Sequence, residues 1–377
     1  MPVDVTYCLS EWEKYFTEKP LSFNEFVDTY IAKPAIFPHI LKTIDEISCQ
    51  PSKLEYFIQG FVGSGKATLI YLLTAYKVYL YLILKSASEF YDFISSADIS
   101  MIIFAPDKKS ASLTVNAFLT ILEGIPFFKK VRTISECFDC KDTALYTTAY
   151  PDDLLTFKRN NNVLHVIAAK DETDLINTNP IIGVFTELDA FKKKGVSMEM
   201  VFGFYQKLSW RIESRCKGKF STIIVEKNPG SLYEDTFDRI MYDNKDPKRM
   251  VIFFHYYWQV FKDKDPDAKI DAIFNITTCQ VADSEDDILP GDFYIKFPSV
   301  FQGADFLGRA KEHPEQFLKD VIGMPITIKQ HSETLDIMKD IVNKIHNYHL
   351  EISIKNGTVF LESPIEKLSI NLSEYQE

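Results

Sequence analysis

Gly60-Phe61-Val62-Gly63-Ser64-Gly65-Lys66 lies between two apolar segments of different character. Before it, Leu54-Glu55-Tyr56-Phe57-Ile58-Gln59 reads as a short buried strand. After it, the chain from Lys66 to Lys85 reads as a long apolar helix. A strand, a glycine-rich turn, Gly-Lys and then a helix form the context in which a backbone turn cradles phosphate. The glycines let successive N–H groups turn inward on an anion. The helix N-terminus adds a partial positive charge at the same place. In this reading Gly60, Gly63, Ser64, Gly65 and Lys66 hold the phosphates of a nucleotide, with Lys66 reaching the β- and γ-phosphates. The next position departs from the pattern. A Ser or Thr hydroxyl normally meets Mg²⁺ there, and this chain has Ala67. Thr68 carries a hydroxyl, but one helical step, roughly 100°, round the axis.

Outward from that turn, short apolar runs alternate with helical stretches. Strands are expected at Leu54–Gln59, Ser100–Ala105, Val163–Ala169, Ile181–Thr186, Phe220–Glu226 and Met250–His255. Helices are expected at Lys66–Lys85, Lys109–Glu123, Ser197–Ser214 and Tyr233–Tyr242, with Ser197 as an N-cap. Near-continuous apolar strands alternating with helices predict a mainly parallel sheet covered on both faces. The fold class expected is therefore α/β, a P-loop core on a mainly parallel sheet. Residues 1–50 read as a helical N-terminal extension, 51–262 as the P-loop core and 263–330 as a linker or lid-like subregion. Residues 331–377 read as a short C-terminal helix and hairpin, a small α+β extension without a complete nuclease domain. The hairpin rests on Asn356-Gly357 between alternating strands, a strong turn signal.

A phosphate cradle needs a carboxylate at the end of another buried strand, to order Mg²⁺ and to orient the attacking water. Ile181-Ile182-Gly183-Val184-Phe185-Thr186-Glu187 is an apolar run ending in an acid. Glu187 stands where the water-orienting base is expected. Asp189 is the weaker alternative, and an ordinary surface glutamate is the bland one. Thr186 occupies the position of the metal-side aspartate. With Ala67 and Thr186 together, Mg²⁺ is left to the phosphates and water, with Glu187 or Thr186 beside it, or hydrolysis is slow. Arg215, at the end of a helix, reaches a phosphate or a neighbouring subunit in one reading and caps its own helix in the other. Lys227-Asn228-Pro229-Gly230 follows a core strand, at the end where ligands of α/β sheets gather.

The bulk composition narrows the partners. The chain has 377 residues, 46% hydrophobic and 25% charged, with a net charge of −11. That balance opposes general coating of polyanions, while leaving room for one local basic surface such as Lys129, Lys130 and Arg132. Six cysteines are scattered through the chain, and Cys137-Phe138-Asp139-Cys140 lacks the second ligand pair that a zinc site needs. The N-terminus shows no signal-peptide pattern, and reduced thiols inside a cell are the plain expectation. The apolar stretch Ala67–Leu84 is interrupted by Lys77 and is expected to pack on the sheet rather than span a membrane. The acidic run Asp283–Asp287 reads as a solvated loop.

In order and spacing these segments resemble the ATPase domain of the large terminase subunits of phages. The resemblance rests on Gly60–Lys66, the helix Tyr71–Lys85, Ile102-Ile103-Phe104-Ala105-Pro106 and Gly183–Phe191. It continues through Ser214-Arg215, Val225–Pro229 and His313–Pro325, and so covers roughly residues 50 to 330. It implies an additional-strand ATPase fold, the RecA/ASCE-like kind of P-loop NTPase, that couples ATP hydrolysis, with Mg²⁺, to translocation of double-stranded DNA into a procapsid. Lys66 and Glu187 would then be catalytic, with Arg215 beside them, and Glu226, Lys227 and Asn228 would couple γ-phosphate to movement. The implied partners are DNA, a portal protein, a small terminase subunit and further copies in a homo-oligomeric ring, in the cytoplasm of a host cell. The residues after Pro325 are too few for the family's nuclease domain, so the expectation is that it lies on another polypeptide, that the chain is a fragment, or that the domain has been lost. The chain departs from the family pattern at Val62, Ala67, Thr186, Glu226 and Lys227. The alternative reading is a degenerate P-loop module that binds nucleotide in a structural or regulatory role, with little hydrolysis.

Overall fold

The computed structural model describes residues 13–31, 36–48, 53–93, 99–128, 153–159, 162–169, 171–175, 178–186, 188, 191, 194–216, 219–229, 237, 249–255, 269–276, 278–290, 294–301, 303–323, 351–355, 358–362 and 367–371. They fall into two units. The first comprises 1–58, 65–227 and 246–253, and the second comprises 59–64, 228–245 and 254–377.

The first unit opens with α1 (Phe23–Tyr30), α2 (Pro38–Ser48) and β1 (Glu55–Gly60), followed by α3 (Lys66–Leu82) and α4 (Ala87–Tyr91). Then come β2 (Ile99–Phe104), α5 (Lys108–Gly124), β3 (Asp153–Arg159), β4 (Asn162–Ala169), β5 (Asn179–Phe185), α6 (Met198–Cys216), β6 (Thr222–Lys227) and β7 (Met250–His255). The strands form one sheet in the order β3-β4-β2-β5-β6-β1-β7. β2 runs parallel to both β4 and β5, and β5 runs parallel to β6, while β3 closes the edge antiparallel to β4. Every residue of β1 and β2 is buried, as strands with helices on both faces must be. The architecture is thus mixed α/β, with a large, mostly parallel sheet flanked by helices. One strand, β6, separates β1 from β5.

α3 is apolar on nearly every face because nearly every face is covered. It packs against α1, α5, β3 and β6. The hydroxyls of Tyr76, Tyr79 and Tyr81 meet backbone groups, that of Tyr79 accepting from the Leu21 N–H at 3.2 Å. The Tyr81 hydroxyl donates to the Val163 carbonyl at 2.7 Å, and the Tyr76 hydroxyl to that of Leu21 at 3.0 Å. Rings of Phe23 and Phe26 meet Tyr76 at 4.9 and 5.6 Å, distances at which aromatic pairs add to simple burial. Lys77 lies buried in the same helix, its ammonium 5.5 Å from the centre of the Tyr56 ring, and burial lowers its pKa to about 7. No helix among the described residues is long and apolar enough to cross a membrane.

Where β1 and β7 begin, Glu55 is buried and held by Arg249, whose Nε and Nη2 lie 3.1 and 3.0 Å from Oε1. The Ser209 hydroxyl donates to Glu55 and accepts from Arg249. Burial and the Glu55 carboxylate hold the Tyr205 phenol protonated far above its ordinary range. A buried carboxylate needs such company.

The second unit carries β8 (Ile270–Asn275), β9 (Gln280–Ala282) and β10 (Tyr294–Pro298), an antiparallel sheet in the order β10-β8-β9. Short strands β11 (Val300–Phe301) and β12 (Ala304–Asp305) lead into α7 (Phe306–Glu312) and α8 (Pro314–Phe317). A π-helical turn, Leu318–Ile322, ends at Gly323 with φ 85°. Phe317 anchors this region, with Phe297, Phe274 and Phe306 at 4.9, 5.4 and 5.9 Å. Further on, β13 (Glu351–Lys355), β14 (Thr358–Glu362) and β15 (Lys367–Asn371) form an antiparallel three-stranded sheet. The acidic run forms a short turn in which Asp287 accepts from the Ser284 N–H at 2.8 Å and Glu285 pairs with Lys296.

Candidate functional site

In the first unit, α3 starts on Gly65, which adopts the left-handed conformation at φ 85° and, as N-cap, offers no side-chain acceptor to the first turn. A side chain there would be strained, and its Cβ would stand 3.2 Å from both Phe37 and Ile40. Lys66, the first helical residue, is buried with 6% exposure, whereas Ala67 is exposed and Thr68 half-buried. The helix N-terminus therefore carries its partial positive charge beside a buried lysine.

β5 ends at Phe185, and Thr186 follows it, buried. Its hydroxyl lies 3.3 Å from that of Thr114 on α5. The neighbouring strand β6 is in register with β5, Phe185 standing opposite Val225. Lys227, the last residue of β6, lies two residues beyond that pair and is 1% exposed, while Glu226 is half-buried. On the other side of β5, Asp107 follows β2 and caps α5, accepting from the Ser110 N–H at 2.7 Å. Asp107 also pairs with Lys194, which reaches the Ser110 hydroxyl at 3.2 Å. Asp107 is thus already held by two partners.

Arg215 is placed elsewhere. Its guanidinium donates to the Thr178 carbonyl at 2.8 Å and to the Asn179 side chain, where β5 begins. β5 has seven residues, so this is the opposite end of the strand from Thr186, some ~20 Å away at the rise of a β-strand. The reach towards a phosphate expected of Arg215 does not fit this placement. It ties the C-terminal end of α6 to the start of β5.

In the second unit, Gly60 ends β1 and leads into the turn. Its role is close approach: a Cβ there would stand 2.6 Å from the His255 carbonyl oxygen. The Phe61 N–H donates to that same carbonyl at 3.2 Å, and the Val62 N–H donates to the Asp320 carbonyl at 2.7 Å. The Ser64 N–H donates to the Phe61 carbonyl at 3.2 Å, so three of the turn's N–H groups are directed at protein carbonyls. Gly63 has φ 87°, Ser64 is fully buried and Val62 is exposed. Gln59, one residue before Gly60, is fully buried, and neither atom of its carboxamide has a hydrogen-bond partner among the described residues. Buried amides are rarely left so. Asn228 follows β6, half-buried.

Glu187 and Asp189 lie outside the described residues, as do Cys137, Cys140, Lys129, Lys130, Arg132 and, except for Phe237, the stretch Tyr233–Tyr242. Among the described residues no group of three or more His, Cys, Asp or Glu side chains is placed to hold a metal. Ala67 has no ligating atom, Thr186 offers a hydroxyl in place of a carboxylate, and Asp107 is engaged. The Ala67 and Thr186 positions therefore offer Mg²⁺ no carboxylate, and Glu187, expected beside the ion, is outside the described residues. Phosphate is better matched: a helix N-terminus with a left-handed glycine, and buried Lys66 and Lys227 at the end of the sheet where ligands of such folds gather.

Sequence reading did not single out Gln59, Thr114, Asp107 or His255. Asp107 had a signal, an Asp before a helical run; the other three matter only through tertiary contacts. Comparison of the chain with protein-family models, with curated proteins and with solved structures returns no match.

Proposed function

We propose that the chain binds ATP at the Gly60–Lys66 turn and hydrolyses it as a DNA-packaging motor subunit of the large-terminase type. In this reading hydrolysis drives double-stranded DNA into a procapsid, in a ring of copies docked on a portal protein and served by a small terminase subunit. The observation that carries it is the strand order. β1, which leads into the Gly-Lys turn, and β5, which ends at Thr186, flank β6. That arrangement brings a Gly-Lys helix start, a strand-end polar residue and the end of β6 to consecutive strands of a mostly parallel sheet, the layout that phosphate chemistry uses. Lys66 would bind the β- and γ-phosphates, Glu187 would orient water, and the Glu226–Asn228 segment would respond to the γ-phosphate.

ATP turnover by the purified protein, with and without DNA, tests this. Turnover above that of Lys66→Ala supports it; none above that level, even with portal and small subunit present, overturns it. Ala67 and Thr186 favour a second reading, a P-loop module that binds nucleotide in a structural or regulatory role with little hydrolysis. Saturable ATP binding without turnover selects that one.

A further inference from the structure

The outward face of α6, which belongs to the first unit, carries features that its own unit does not explain. Trp210 is 61% exposed, an unusual place for so large an apolar side chain. Gly203 stands about two turns before it on the same face. A glycine inside a helix weakens it relative to alanine, and a Cβ at Gly203 would meet nothing within 4 Å. No described neighbour therefore calls for a glycine there, whereas a partner that approaches closely would. Along one edge of this face Arg211 and Arg215 stand at i and i+4, where like charges repel. Partial burial and then the charge of Arg215 lower the pKa of Arg211. The Arg211 Nε is buried without a hydrogen-bond partner among the described residues, and Arg215 donates to neutral oxygens of Thr178 and Asn179. Neither guanidinium pairs with a described carboxylate; Glu213, on the other edge, pairs with Arg249 at 2.8 Å. The face thus sets an aromatic anchor beside two cations that lack an anion, residue types that dominate binding hot spots.

A complementary surface lies on the chain itself. In the second unit Asp283, Glu285, Asp286 and Asp287 are all exposed on one short turn. Asp287 is engaged by Ser284 and Glu285 by Lys296, but neither Asp283 nor Asp286 has a hydrogen-bond or ion-pair partner among the described residues. Leu289, just beyond the turn, is 61% exposed. Carboxylates beside an exposed leucine match guanidiniums beside an exposed tryptophan. Nucleic acid fits the helix face less well, because Glu199 and Glu213 are exposed on it and repel phosphate, and the chain carries a net charge of −11. We propose that the Trp210–Arg215 face of α6 docks the Asp283–Leu289 turn of a second copy of this chain, with Trp210 covering Leu289 and Arg211 meeting Asp286. Unlike surfaces that meet head to tail build a ring or a filament, not a two-fold pair. The contact gives faces to the ring of copies in the proposed function and rests on that reading only for closure; the pairwise contact needs no nucleotide.

The test is sedimentation velocity of the nucleotide-free protein over a concentration series. Wild type is expected to associate reversibly, and more weakly at high salt. Trp210→Ala, Arg211→Glu and Asp286→Lys are each expected to raise the dissociation constant at least about tenfold. A chain carrying both Arg211→Glu and Asp286→Lys is expected to return to within about threefold of wild type, because the pair is restored with its signs exchanged. Gly203→Gln places a better helix former in open space, so it is expected to unfold at a higher temperature than wild type and yet to associate at least about tenfold more weakly. That variant separates loss of contact from loss of fold. Wild type that stays monomeric throughout the series overturns the proposal, as does association unchanged by Trp210→Ala or not recovered by the charge exchange. DNA bound by the wild-type monomer and released by Arg211→Glu assigns the face to nucleic acid and overturns it too. ATP turnover of the same wild-type samples, set against Lys66→Ala, reports separately on the nucleotide reading, so the two failures are distinct.

Discussion

Replacing Gly60 with alanine adds one methyl group where β1 runs into the turn. That methyl would stand 2.6 Å from the His255 carbonyl oxygen, 2.7 Å from His255 Cβ and 2.9 Å from the Ser64 hydroxyl oxygen. A hydroxyl can rotate aside. The carbonyl cannot, because it belongs to the backbone of β7 and accepts the Phe61 N–H at 3.2 Å. Heavy atoms rest near 3.5 Å or beyond when unbonded, so a gap approaching ~1 Å must be opened in backbone. Overpacking of this kind costs about 1–3 kcal/mol. Alanine returns roughly 0.4–1 kcal/mol by restricting the unfolded chain, which leaves a net loss of between about 0 and 2.6 kcal/mol. Gly183→Ala is the matched control. It lies on β5, and its methyl would meet chiefly Leu208 Cδ2 at 2.7 Å, the mobile end of a side chain, with Ile223 at an ordinary 3.5 Å. Its net effect is expected within about 1 kcal/mol of zero. Urea unfolding of both variants, compared at equal slope, gives the numbers. The reasoning is refuted if Gly60→Ala is more stable than wild type, or if Gly183→Ala loses more than Gly60→Ala.

Arg249→Met leaves Glu55 buried without its charge partner, and unfolding free energy should fall by about 3–5 kcal/mol; Glu55→Gln combined with it should restore part of the loss, and simple additivity of the two would contradict the pairing. Lys77→Met should stabilise the protein in a pH-dependent way. Burial puts the folded-state pKa of Lys77 at about 7, below its ordinary value. Between the two values the unfolded chain binds the extra proton, so wild-type stability rises with pH across that window, and the advantage of the variant should shrink by up to roughly 1.4 kcal/mol per pH unit from pH 7 upward. A constant advantage from pH 7 to pH 10 would contradict this. Glu187→Gln should abolish ATP turnover while leaving ATP affinity within about threefold of wild type; turnover that survives moves the base elsewhere, with Asp189 the next residue to replace.

The sheet was legible where strands are buried on both faces. Runs such as Ile99–Phe104 and Asn179–Phe185 are apolar almost throughout, and the sequence placed them within two residues. β3 escaped because its seven residues, Asp153–Arg159, begin and end in charge and lie at a sheet edge where less apolar pattern is needed. α7 escaped for lack of length. In the candidate site, what depends on local geometry could be read: Gly65 is left-handed at a helix start, as a glycine before Lys66 suggests. What depends on long-range approach could not. Gly60 is dictated by His255, nearly two hundred positions away, and Arg215 by carbonyls at Thr178, where no pattern in the sequence points.

The claim that holds the account together is that phosphate is held at Gly60–Lys66. Calorimetric titration of ATP into wild type and into Lys66→Ala measures it directly. The account predicts saturable binding at one site in wild type and at least tenfold weaker binding in the variant, a difference of about 1.4 kcal/mol or more. Absence of saturable binding in wild type, or equal affinity in the two proteins, would contradict it.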